Sequence, residues 1–262
     1  MARKSLIDLV TLSGVRRELL LYLDDGPRSL AEIRDRFDIT SPEVSPRIKE
    51  LLEHGLVSSE GKKYRLTPMG KTIVHNFRPF ADTINLFDQY SDFWDQHDLA
   101  AIPEALLMRI GEIKNFIIME DDVDDLDRTK VALNNLVMTS KSIVGVSCSF
   151  DQTFPELCNA AVRNGIPFEL VVTDNIMKII KKEHSRQMDE FISHPHASLY
   201  LTKENVRISH AVTDSCLFFS LDFSNGKFDV GSNLISYDPS SIKWGRDLFE
   251  YYRSRAVKIL SR

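Results

Sequence analysis

Three groups of side chains in this sequence have the types and spacing to do chemistry. The first is the run Thr40-Ser41-Pro42-Glu43-Val44-Ser45-Pro46-Arg47-Ile48-Lys49, followed further on by Lys62, Lys63 and Arg65. Hydroxyls and cations of this kind suit a polyanion, and an arginine fork can bridge two acceptors on one base. The second group is oriented towards metals. His194-Pro195-His196 supplies two imidazoles but has no third ligand nearby in sequence, and its proline favours an extended turn, so a surface loop is expected. The acidic run Glu120-Asp121-Asp122-Val123-Asp124-Asp125-Leu126-Asp127 offers oxygen ligands to a divalent cation, yet lacks the glycine and spacing of a calcium loop. It reads as a solvated loop. The third group is Cys148, Cys158 and Cys216, too few and too scattered for a disulfide framework. Cys148 reads as a small core residue, with a thiol sensor built from the three as the sharper alternative. No metal and no cofactor are expected.

The elements that must position these groups belong to an ordinary globular chain. The 262 residues are 43% hydrophobic and 27% charged, which excludes collagen-like, low-complexity and disordered classes and leaves room for one large domain or two ordinary ones. No apolar run approaches a membrane span. The opening MARKSLIDLVTLSGVRRELLLYL is broken by Asp8, Arg16, Arg17 and Glu18, so no signal peptide is expected and a cytoplasmic location is. The net charge of −5 is unevenly spread. Residues 1–80 carry 14 basic and 11 acidic side chains, residues 81–130 carry 4 and 13, and residues 131–262 carry 15 and 14. A mildly basic head on an acidic body fits a polyanion bound at one end.

The first eighty residues read as a small helical unit. Apolar residues at helical spacing mark one helix from Ser5 to Leu23, stopped by Asp24-Asp25-Gly26-Pro27. Ser29 and Glu32 form a capping box before a helix over Leu30–Phe37. Ser41 is expected to cap a third helix, with Pro42 first in it and Gly55 ending it. Pro46 within that helix implies either a late start, with Ser45 as cap, or a distorted opening turn. Residues 56–59 and 64–66 alternate like strands around the turn Glu60-Gly61-Lys62-Lys63. Thr67-Pro68 opens a fourth helix.

Helix, helix, helix and hairpin is the order of a winged helix-turn-helix. The segment Gly55-Leu56-Val57, and Tyr64-Arg65-Leu66-Thr67-Pro68-Met69-Gly70 after the hairpin, resemble the winged-helix domain of archaeal transcription regulators. That resemblance implies that the third helix enters the major groove of duplex DNA. Its contacting residues would be Thr40, Ser41, Ser45, Arg47 and Lys49, with Glu43 also facing outward, and Lys62, Lys63 and Arg65 on the wing beside the backbone or minor groove. Met69 to Asp92 reads as a connector helix, interrupted near Arg78 by Pro79. Its apolar residues lie on more than one side, which predicts a homodimer suited to a palindromic operator.

Further along stand Phe93-Trp94, His97-Asp98-Leu99, Ile102-Pro103 and Arg109-Ile110-Gly111, then Val212-Thr213-Asp214, Leu234-Ile235-Ser236 and Trp244-Gly245-Arg246-Asp247-Leu248. Together these resemble the middle domain of the archaeal methanogenesis and filamentation regulators, and so imply a transcription regulator. Read from its residues, this region is α/β. Strands are expected at 115–119, 142–148, 167–173, 198–201, 206–212, 216–221 and 227–230, the last after an Asn225-Gly226 hairpin turn. Helices are expected at 126–139, 155–164 and 175–193, and from a Ser240 or Ser241 cap to Leu260. That alternation suggests a mixed sheet with helices on both faces. The order, and Arg207-Ile208-Ser209-His210-Ala211-Val212-Thr213-Asp214 before an apolar strand, are similar to phospholipase-D-like domains. Their catalytic motif is His-x-Lys with Asp five positions after the lysine. Aligned on Asp214, this chain has Arg207 and Ser209 at the other two places, and no His-x-Lys occurs anywhere in it.

The fold expected is therefore an N-terminal winged helix-turn-helix (1–80), a connector (81–92) and a C-terminal mixed-sheet α/β domain (93–262) that is phospholipase-D-like without the catalytic motif. The function expected is a sequence-specific DNA-binding transcription regulator and not an enzyme. It would bind double-stranded DNA as a homodimer, with no membrane partner, and respond to a small-molecule effector through the second domain. Trp94, His97, Arg109 and Trp244 are the candidates to line an effector pocket, with core packing as the plain alternative for the tryptophans. The competing function is a non-catalytic adaptor or degenerate phosphodiesterase-like enzyme with an incidental winged helix.

Overall fold

The computed structural model describes residues 5–121, 128–229 and 231–260. Most of the acidic run, residues 122–127, thus lies outside the described residues, as does Val230. The chain divides into two compact units, Met1–Ala81 and Asp82–Arg262.

The first unit opens with two helices where one was expected, α1 (Leu6–Thr11) and α2 (Gly14–Asp24). Ser13 takes an extended conformation and its hydroxyl accepts from the Arg16 N–H at 3.4 Å. A good cap thereby interrupts spacing that apolar periodicity alone would run together. The two-residue strand β1 (Arg28–Ser29) leads into α3 (Leu30–Phe37) through the Ser29–Glu32 capping box, and Asp38 closes α3 in the left-handed conformation. The next helix, α4, runs Ser41–Glu53 with Thr40 as its cap, one residue before the expected Ser41. Pro46 lies inside α4 and not at a late start. The N–H it lacks would have bonded the carbonyl of Pro42, an exposed residue in the first turn, so water can take that carbonyl and the helix continues.

Strands β2 (Val57–Glu60) and β3 (Lys63–Leu66) pair around a turn with Gly61 at φ 61°, and β1 adds to β3, giving the order β1-β3-β2. Leu9, Leu19, Ile33, Val44, Leu51 and Leu56 are fully buried at the centre of this unit. The Thr67 hydroxyl donates to the Gly55 carbonyl at 2.6 Å and accepts from the Gly70 N–H at 3.0 Å. A Cβ at Gly70 would lie 2.1 Å from the Leu56 carbonyl oxygen, so no larger residue fits there. The start of the wing and the helix after it are locked by the same four residues. That helix, α5, runs over Pro68–Asp88 with Pro79 inside it, where a kink or break was expected, and it stops at Asp88, short of Asp92.

The second unit begins with α6 (Ser91–Gln96) and α7 (Glu104–Leu107). It is built on β4 (Phe116–Glu120), α8 (Arg128–Thr139), β5 (Ile143–Ser147), α9 (Phe154–Arg163) and β6 (Phe168–Thr173). Then come α10 (Asp174–Glu183), α11 (Ser185–Ser193), β7 (Ala197–Thr202), β8 (Ile208–Thr213) and β9 (Leu217–Leu221). Finally β10 (Ser232–Ser236), α12 (Pro239–Arg253) and β11 (Val257–Ile259) complete it. The eight strands form one sheet in the order β11-β7-β6-β5-β8-β9-β10-β4. Only β5-β6 and β6-β7 are parallel, each joined by a helical crossover, and the other pairs are antiparallel.

The central strands are apolar on both faces. Val144, Val146, Ile208, Val212 and Phe219 pack with Trp244 and Leu248 of α12. Ile143, Phe168, Leu170 and Val172 pack on the other face with α9 and α10. This is why 142–148 and 167–173 read as continuous apolar runs without alternation. Three boundaries differ from the sequence reading. His184 splits the helix expected over 175–193 into α10 and α11. Asp238 caps α12 in place of Ser240 or Ser241, and the chain beyond Arg253 turns into the edge strand β11. The strand expected after Asn225-Gly226 is reduced to one bridge between Asp222 and Phe228.

Candidate nucleic-acid interface

The recognition-helix candidates all lie on or beside α4, but they are held differently. The Glu43 carboxylate accepts from the Thr40 N–H at 2.8 Å and from the Thr40 hydroxyl at 2.7 Å, and these bonds hold its pKa below the ordinary carboxylate value. The hydroxyl proton of Thr40 is therefore engaged in the cap. Ser41 is half-buried at the first helical position, whereas Ser45 is exposed. Arg47 is half-buried, and its guanidinium folds back to donate to the Glu43 carbonyl oxygen, four residues earlier. Reading a base would require that fork to swing away. Lys49 is exposed and 3.8 Å from Glu53.

On the wing, Lys62 and Lys63 are exposed at and after the hairpin turn. Arg65 pairs with Glu60 across the hairpin at 2.8 Å. Screened surface pairs of this kind contribute little to stability, so these cations remain available to a polyanion. The sequence reading did not nominate Arg34 and Arg36, which are exposed on α3. Their signal was present in the Arg34-Asp35-Arg36 spacing, but it was indistinguishable from a solvated helix end. It also missed Arg16, whose guanidinium bonds the Leu9 carbonyl at 2.9 Å and Glu50 of α4 at 2.6 Å. Arg16 ties α4 to the helices beneath it.

In the second unit the four effector candidates do not meet. Trp94 is buried and donates to the Leu86 carbonyl at 2.9 Å, and Trp244 is buried and donates to the Leu106 carbonyl at 3.0 Å. Both are core residues with their one polar atom satisfied, so the pocket-lining reading is corrected for them. Arg109 is held by Glu112 and Asp247, each at 2.7 Å. His97 is buried between the rings of Phe93 and Phe223, and its two nitrogens meet the Phe93 carbonyl at 2.6 Å and Asp229 at 3.0 Å.

The positions aligned with a phosphodiesterase motif are engaged in separate local contacts. Arg207 pairs with Asp98. The Ser209 hydroxyl accepts from the Cys148 N–H at 3.1 Å, and Asp214 accepts from the Lys141 N–H at 2.7 Å. The three cysteines are free thiols. Burial raises all three pKa values, to about 11 for Cys148 and Cys216, which disfavours the reactive thiolate of a sensor. His194 and His196 lie in the loop after α11, and no cluster of three or more metal-ligating side chains occurs among the described residues. No helix among them is long and apolar enough to cross a membrane.

Two family models match the chain. The profile described as "HVO_A0261 N-terminal domain" matches residues 4–89, and that described as "Methanogenesis regulatory protein FilR1, middle domain" matches residues 128–255. The chain is 26% identical over 253 residues to the methanogenesis regulatory protein FilR1 of Methanothrix harundinacea (strain 6Ac). The match takes in 94% of this chain and 56% of that protein, so the chain spans little more than half the length of its relative. Among solved structures, the archaeal chromatin protein TrmBL2, described as showing a novel mode of DNA binding, covers 97% of this chain and 100% of its own. It does so at 12% identity and a TM-score of 0.45. Nuc of Salmonella typhimurium, a phospholipase D family member, covers 56% of this chain and 99% of its own at 10% identity and a TM-score of 0.45. The chain thus resembles regulators of the FilR1 type, with an HVO_A0261-type head followed by a FilR1-type middle domain.

Proposed function

We propose that this protein is a transcription regulator that binds duplex DNA sequence-specifically through α4 and the β2-β3 wing. It acts as a homodimer and answers a small-molecule effector through its second unit. The observation that carries the reading is the winged-helix unit itself. A helix capped by Thr40 and Glu43 exposes Ser45 and Lys49 and holds Arg47 on its surface, beside a hairpin tipped by Lys62 and Lys63. Arg47 serves base readout, while the wing lysines serve the phosphates. Ser41 and Arg65 position the ends of this surface. The dimer reading is supported by Met69, Phe80 and Ile84 of α5 and by Leu6, Ile7 and Leu12, all large apolar residues exposed to solvent.

The protein is read as a non-enzyme, because Arg207 and Ser209 stand where a phosphodiesterase needs its nucleophilic histidine and its cationic partner. Selection of bound duplexes from a randomised pool by the full chain tests the function. One enriched sequence, with half-sites related by two-fold symmetry, is the expected result. Recovery of the input pool unchanged would overturn sequence-specific binding. Light scattering of the free chain tests the dimer, and a strict monomer at micromolar concentration contradicts it.

A further inference from the structure

Beneath α8 and α9, on the face of the second sheet away from α12, lies a cavity of about 390 Å³. Its floor spans three neighbouring strands and includes the small residues Gly145 and Ser147 on β5, Ser209 and Ala211 on β8, and Ser220 on β9, with Phe218 of β9 beside them. One strand away, Phe168, Leu170 and Val172 of β6 fill the same face with large side chains. A cleft of this size over a run of small residues has the dimensions of a small-molecule site.

Two of its polar side chains are buried and bonded to each other. Ser220 is 3% exposed and donates to the side-chain oxygen of Asn233, which is 6% exposed. The Asn233 side chain carries two N–H donors beside its oxygen, so it can also meet the polar head of a ligand. The cavity is also lined by Phe150, Phe154, Phe218 and Phe228. A smaller apolar void of about 40 Å³ shares Phe150 and Phe154 in its lining.

Charge narrows the ligand class. The cation on the wall, Lys130, is paired with Asp151 at 3.0 Å, and the wall also carries the Asp121 carboxylate, which accepts from the Thr129 N–H at 2.8 Å. An anion entering here meets two carboxylates against one lysine, a net negative wall that opposes phosphates and carboxylic acids.

We propose that this cavity is the effector site, and that it takes an uncharged amphipathic molecule. An amide, carbonyl or hydroxyl head meets Asn233 and the serine floor, and an aromatic or aliphatic body lies against the phenylalanines. Its role as an effector site rests on the regulator reading given above, while the binding test does not involve DNA.

The test uses the full chain with labelled methyl groups and two neutral probes, benzamide and 2-phenylethanol, against the anion benzoate at matched size. The neutral probes are expected to bind saturably at millimolar concentration and to give intermolecular Overhauser effects to the methyls of Ala211, Leu133, Val137 and Leu170. Benzoate is expected to bind about tenfold more weakly or worse. Asn233→Ala, checked for an unchanged spectrum away from the cavity, should weaken benzamide by about tenfold. Silence of the cavity methyls with both neutral probes overturns the proposal, as does benzoate binding as well as benzamide. Binding here by a chain that fails to select DNA leaves the site standing and removes the regulator reading. DNA selection with silent cavity methyls does the reverse.

Discussion

Arg16 reaches Glu50 at 2.6 Å and so fixes α4 against α2 through a pair that is largely sheltered from solvent. The same guanidinium holds the Leu9 carbonyl, so one side chain joins α1, α2 and α4. Arg16→Ala is predicted to destabilise the first unit by about 1–3 kcal/mol, because it removes a sheltered ion pair and a donor to a backbone carbonyl. DNA affinity should fall with it, since α4 loses a fixed position, while sequence preference should not change. Denaturant unfolding together with duplex titration reads both effects. Unchanged stability would show that the pair is surface decoration.

Gly70 meets the Leu56 carbonyl at a distance that admits no Cβ. Gly70→Ala is predicted to lower the stability of the winged-helix unit by about 2 kcal/mol or more, through displacement of the wing from α5. Thr67→Val, which removes the hydroxyl bonded to Gly55, should cost about 1 kcal/mol. Calorimetry of the full chain distinguishes the two. A tolerated Gly70→Ala contradicts the lock.

Burial on β8 pushes the His210 pKa down from 6.5 to about 3, only partly offset by the nearby Gly245 backbone. Between these values the unfolded chain binds a proton that the folded chain does not. Stability is therefore full above pH 6.5 and is lost as the pH falls towards 3, by up to about 1.4 kcal/mol per pH unit. His210→Leu should flatten that slope between pH 6.5 and 4.5 in thermal unfolding of the second unit. Parallel slopes for the two proteins would refute the assignment.

Much of this was legible in the sequence where short-range chemistry decides. The Ser29–Glu32 capping box, the Gly61 hairpin and the apolar runs of β5 and β6 lie where local rules put them. The failures have particular causes. Ser13 and His184 interrupt helices whose apolar spacing continues across them, and spacing alone does not register a cap or a bend. Strand β11 reads as the end of a helix, and becomes a strand because β7 offers it an edge. At the sites, Trp94 and Trp244 carry the same signal whether they face a core or a pocket. The cavity near Asn233 was invisible because its floor comes from small residues on strands far apart in the chain, and small polar residues have no motif.

Thr40 and Arg47 are predicted to divide the work at the head of α4. Thr40→Ala removes the cap to Glu43 and should cost about 1 kcal/mol of stability with sequence preference intact. Arg47→Ala should leave stability nearly unchanged, cost about 1–3 kcal/mol on the selected sequence and relax preference at one base pair. Selection profiles of the two variants check this. Exchanged effects would mean that α4 meets DNA in a different orientation.

The central claim is that α4 and the wing carry DNA binding, and it is tested most directly by titrating the full chain and its Lys62→Ala/Lys63→Ala variant with the selected duplex and an unrelated one across salt concentrations. The account predicts a steep salt dependence for the wild-type chain. In the variant the slope is smaller by about two and affinity is lost to both duplexes alike, because the lysines act on phosphates. An unchanged salt slope and affinity in the variant would contradict it, as would a wild-type chain that binds neither duplex.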